Sequence, residues 1–161
     1  MQKIKRVVGI SLGTRQLGIA FFRQGRLSDW HIYSFKYAWS AFKKKQILRC
    51  VETIVKREQA TMVALKISET EKQNQSFREI LTDIEQLLFL HHIPCYSFTL
   101  PQLKSQLPIE YQKNKAAFME GMMTLYPELH IEFQKERTNH NSYYIKIFEA
   151  IAAARLSLTT K

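Results

Sequence analysis

The chain is short of cysteine, of acidic residues and of long apolar runs, and each shortage excludes a class of protein. Its two cysteines, Cys50 and Cys95, stand too far apart for a Cys-x-x-Cys motif and are too few for a disulfide framework. Both are expected as reduced, buried hydrophobes, Cys50 on a helix and Cys95 on a strand. No uninterrupted apolar stretch approaches the ~20 residues that span a bilayer, so no membrane partner is expected. The opening MQKIKRVV passes from a few charges straight into an apolar run. It has neither the long apolar segment nor the small-residue cleavage site of a signal peptide, and the expected location is cytoplasmic. Acids are outnumbered: 14 Asp and Glu stand against 24 Lys and Arg, for a formal net charge of +10. That excess favours a polyanionic partner through counterion release, and nucleic acid is the commonest.

What is present is ordinary globular material: 161 residues, 45% hydrophobic, enough for one domain (1–161) with a proper core. Val7–Leu12, Gly18–Arg23 and Leu27–Phe35 are apolar runs separated by Gly13-Thr14-Arg15 and Gln24-Gly25-Arg26, which reads as a three-strand antiparallel meander. Ile47, Val51, Ile54 and Val55 recur at helical spacing and predict a helix from Trp39 to about Glu58. Thr61–Ile67 is a short, nearly all-apolar run, as in a buried parallel strand. Ser76-x-x-Glu79 has the form of a capping box before a helix whose face runs Phe77, Ile80, Leu81, Ile84, Leu87, Leu88. Pro94–Thr99 reads as another strand, and Pro101 and Pro108 bracket a loop or a single helical turn. Asn114 can cap a helix that Pro127 ends; Gln134–Ser142 is polar and expected as a loop; Tyr143–Leu158 is an Ala-rich helix. Hairpin strands followed by alternating helix and strand make a mixed five-stranded α/β sheet with helices on both faces. The right-handed crossover rule sets Thr61–Ile67 beside the first strand.

This order, with VVGISLGTRQLGIAF, TMVALKI, NKAAFMEGMMTLYPEL and YYIKIFEAIAAA in sequence, resembles the RNase H-like superfamily and in particular RuvC-type Holliday-junction resolvases. The first stretch is also similar to the opening of the YqgF group. The resemblance implies an RNase H-like fold over nearly the whole chain. In active relatives an Asp on the first strand, a Glu ending the fourth and one or more acids on the last helix hold the Mg²⁺ ions of two-metal phosphodiester cleavage. Here those positions fall on Ser11, Lys66 and Glu149, and a further Asp of RuvC falls on Lys146. One acid is left.

Strand alternation gives an independent check. Val7, Gly9 and Ser11 share one face of the first strand, and Met62, Ala64 and Lys66 share one face of the fourth. Glu149 lies on an apolar stripe with Ile145, Ala152, Ala153 and Leu156. With the strands adjacent, Ser11, Lys66 and Glu149 can converge. One carboxylate and one hydroxyl cannot offset the repulsion between an ammonium and Mg²⁺, so these positions are expected to be catalytically inactive, with Lys66 either paired with Glu149 or holding a phosphate. Glu69 and Glu71 could replace the missing acids only from a polar stretch where acids are usual. A Ser11–Lys66 nucleophile–base dyad has no oxyanion motif beside it.

Further cations are candidates for phosphate contact: Lys36, Lys43, Lys44 and Lys45, which together with Arg49 are concentrated around Trp39 and Phe42, then Arg15 in the first turn and Arg23 and Arg26 at the second. Trp39 and Phe42 are expected to turn into the core. His91 and His92 serve a helix end better than a metal, and Met119, Met122 and Met123 are expected in the core. The expected function is binding of nucleic acid, DNA rather than RNA, in branched or structured form and without cleavage, a homodimer being compatible with this. No metal and no cofactor is expected. A metal-dependent endonuclease with a rearranged site, which alone would use Mg²⁺, and a protein–protein interaction module are the alternatives.

Overall fold

Alternation in the first strands sets the architecture. The structure, a computed structural model, describes residues 4–138 and 143–159. β1 (Arg6–Ser11), β2 (Gln16–Arg23) and β3 (Arg26–Ser34) form the expected antiparallel meander. At the β2–β3 hairpin Gln24 and Gly25 have φ of 53° and 78°, the positive-φ turn whose twist matches the strands it joins. β4 (Met62–Lys66) runs parallel to β1, and β5 (Cys95–Phe98) parallel to β4, in the order β3-β2-β1-β4-β5. The crossover rule therefore placed β4 correctly.

The helices of the described residues are α1 (Ala41–Arg57), α2 (Gln75–Leu90), α3 (Leu100–Lys104), α4 (Lys115–Leu125), α5 (His130–Thr138) and α6 (Ile145–Thr159). Each face of the sheet carries its own core. Val8, Ile10, Val63 and Leu65 pack with Ile47, Val51 and Ile84 from α1 and α2. Val7, Ala20 and Ala64 pack on the opposite face with Phe148, Ile151 and Ala154 of α6 and Phe118 of α4. α6 lies directly on the strands because two glycines admit it. A Cβ on Gly9 would stand 2.1 Å from the Ala150 carbonyl oxygen, and one on Gly18 would stand 2.2 Å from that of Lys146.

Helix ends differ from the sequence reading where a better cap lies nearby. Ser40 caps α1 by accepting the Lys43 amide at 3.1 Å, so the helix starts after Trp39. Asn74, not Ser76, caps α2: its Oδ1 accepts the amides of Ser76 and Phe77, which leaves the Ser-x-x-Glu pattern inside the helix. Asn is as good a cap as Ser and comes earlier in the chain. Asn114 caps α4 as expected, accepting the Ala117 amide at 2.8 Å. Between the prolines, Thr99 N donates to Gln102 Oε1 at 2.8 Å and starts α3.

The polar stretch expected as a loop is helical as far as Thr138; residues 139–142, with His140, lie outside the described residues. Its helix is held by buried Glu136, whose Oε1 accepts Lys115 Nζ at 2.7 Å and whose Oε2 accepts the Tyr144 amide at 2.6 Å. Both cysteines are free thiols, on α1 and β5 as expected, but half-buried rather than fully so. Burial raises both thiols, that of Cys95 to about 12, which keeps them protonated and inert.

Candidate functional site

The site is assembled at the carboxyl ends of β1 and β4. Ser11 and Lys66 are direct partners in the parallel ladder, so their side chains leave the sheet on the same face, under α6. Glu149, early in α6, comes down between them. Ser11 Oγ donates to Glu149 Oε1 at 2.8 Å, and Lys66 Nζ donates to Oε2 at 3.0 Å. Ser11 is fully buried, and Lys66 and Glu149 are 9% and 5% exposed. A buried ion pair is tolerated when its geometry is good and its remaining lone pairs are used; both oxygens of this carboxylate have a donor.

A second ammonium stands beside the pair. Lys146, one turn before Glu149 on α6, reaches over the β1–β2 turn, its Nζ 3.1 Å from where a Cβ on Gly13 would lie. Burial pushes its pKa down; the Glu149 charge opposes that, Lys66 adds to it, and Glu71 opposes it. The cluster under α6 thus holds two lysines and one carboxylate.

A two-metal centre does not fit these residues. Mg²⁺ requires several oxygen ligands and tolerates no neighbouring cation without compensating anions. Glu149 is committed to Ser11 and Lys66, and the described residues contain no group of three or more His, Cys, Asp or Glu able to hold a metal ion. Glu69 and Glu71 are exposed, and Glu69 meets Lys72 at 3.4 Å.

The basic residues separate by position. Arg15 and Lys36 are exposed and line one cleft. Lys43 corrects the expectation of a phosphate contact: it is 3% exposed, and its ammonium donates to the Tyr37 carbonyl at 2.6 Å. Lys44 faces Asp83 at 3.2 Å, while Lys45 is exposed. Arg23 and Arg26 are exposed, but pair with each other at the hairpin tip. Ser11 pairs with Gly18 at the other end of β2, about 16 Å away at strand rise, so these two arginines do not join the site. Phe42, expected in the core, is 65% exposed, whereas Trp39 packs on the core beneath α1.

In the sequence Lys146 stands only as a replaced acid; the signal for more is its place three residues, one helical turn, before Glu149.

No protein-family model matches the chain, and no curated protein matches it by sequence. Solved structures do. A structure of RuvC from Thermus thermophilus superposes with a TM-score of 0.66 at 16% identity, over 93% of this chain and 90% of that one. RuvC from T. thermophilus in complex with a Holliday junction substrate superposes with a TM-score of 0.63, also at 16% identity, over 94% and 90%. Together with the mixed five-stranded sheet and its strand order, these similarities establish that the chain has an RNase H-like fold of the RuvC type.

Proposed function

We propose that the protein binds branched or structured DNA and does not cut it. The observation that carries this is the closed triad: an ammonium 3.0 Å from the single carboxylate, whose other oxygen is bonded to Ser11. Hydrolysis of a phosphodiester on such a fold needs clustered anions to hold metal ions that activate water and stabilise the leaving oxygen. Here the same place carries two lysines, Lys66 and Lys146, and one carboxylate, Glu149. A cation there attracts a backbone phosphate and supplies nothing to break it. The net charge of +10 and the likeness to a resolvase structure in complex with a Holliday junction substrate support a DNA ligand.

The test is titration of a labelled four-way junction across a salt series, in EDTA and in Mg²⁺ or Mn²⁺. Binding should weaken steeply with salt, be the same with and without chelator, and leave the junction intact. Lys146→Ala should lower the slope of log K against log salt by about 0.9, the value of one phosphate contact on duplex. Cleavage that disappears in Glu149→Ala would overturn the reading.

A further inference from the structure

One side of α1 borders a basic trough. A cleft of about 630 Å³ lies between the end of β3 and α1 and carries Lys36, Arg49 and Arg57. A second, of about 600 Å³, adjoins it across the segment Ser34–Tyr37 and carries Arg15 and Lys36 beside Trp39. Among the described residues, neither lining includes an Asp or a Glu. Glu58 approaches Arg57 Nε at 3.2 Å from outside that lining, and Arg49 also borders a separate depression with Glu52 and Asp83.

The segment between the two clefts is anchored. The Lys43 ammonium donates to the Tyr37 carbonyl from beneath at 2.6 Å, and the Phe35 amide donates to the Arg15 carbonyl at 2.8 Å. Tyr37 itself is 72% exposed. An aromatic ring presented on a fixed backbone between cations combines the two contacts that an unpaired strand offers. Its phosphates meet the cations and its free base faces meet the ring. A duplex withholds the second contact, because its bases are already stacked.

We propose that this trough holds an unpaired nucleic-acid strand, with Tyr37 as the stacking platform and Arg15, Lys36, Arg49 and Arg57 along the strand's backbone. The proposal rests on the nucleic-acid reading and narrows it to ligands with an unpaired segment. Arg49 and Arg57 are about 12 Å apart along α1, so a bound strand lies along the helix.

The probe is a labelled oligothymidylate, followed by anisotropy at several salt concentrations and by quenching of tryptophan emission. The oligonucleotide should bind and quench, and the quench should be lost in Trp39→Phe. Tyr37→Ala should weaken binding about tenfold, with Tyr37→Phe restoring it. Arg49→Gln with Arg57→Gln should lower the salt slope by about 1.4. Absence of binding, or binding unchanged in Tyr37→Ala and in the double arginine variant, overturns the proposal. A fully paired four-way junction run in parallel separates the two readings. If only the junction binds, the trough proposal falls and the branched-DNA reading stands; if only the oligothymidylate binds, through Tyr37, the reverse holds.

Discussion

Glu149 sits between a hydroxyl and an ammonium, and its surroundings decide what substitution there does. Removing one partner of a buried ion pair strands the other charge in a low-dielectric site, at a cost of about 3–5 kcal/mol. Glu149→Leu, which leaves two lysines beneath α6, should lower the urea-unfolding free energy by that amount. Lys66→Met combined with Glu149→Leu should recover much of that loss, since apolar groups of similar volume replace such pairs at little cost, and the buried Ser11 hydroxyl left without its acceptor should hold back about 1–3 kcal/mol. A double variant as unstable as Glu149→Leu alone would show that the two side chains are not energetically coupled. The triad was legible because a period of two fixes which residues share a strand face. Lys43 was misread although its position was informative: it precedes Ile47 by four residues and so lies on the same buried stripe of α1. Periodicity assigns a residue to a face, but does not tell whether a long side chain there turns back to a carbonyl or reaches solvent.

The contact between α6 and the sheet shows what can and cannot be read for whole elements. Strands and the long amphipathic helices follow from apolar spacing, and both cores fall on the faces that alternation predicts. α5 escaped because its polar sequence earns helical structure from distant partners, Lys115 and Tyr144 on Glu136, which no local pattern contains. The closeness of α6 was foreseeable from the small residues on one strand face, and it makes a sharp prediction. Gly9→Ala introduces a methyl 2.1 Å from the Ala150 oxygen and 2.9 Å from the Ala154 methyl, both on packed helix. α6 must lift, at a cost of about 3 kcal/mol for overpacking at a rigid site. Denaturant unfolding should report that loss, and an alanine there that costs nothing would mean that helix and sheet separate easily.

At the scale of the molecule, the closed triad and the basic trough lie on opposite faces of one sheet, both toward the end of β1 where Gly13–Arg15 turns the chain. The triad belongs to the α6 side; the trough follows α1. β1 is the member common to everything. It is bonded to β2 along one edge and to β4 along the other, and it contributes Val7 to one core and Val8 and Ile10 to the other. No partial opening frees such a strand, because peeling either neighbour away still leaves the opposite edge and a packed face in place. Its amide protons should therefore be the slowest in the protein to exchange with deuterium, and their exchange free energy should equal that of global unfolding. Those of β3, at the sheet's edge, should be replaced earlier through local fraying. The strand that presents the serine should thus also be the protein's slowest clock.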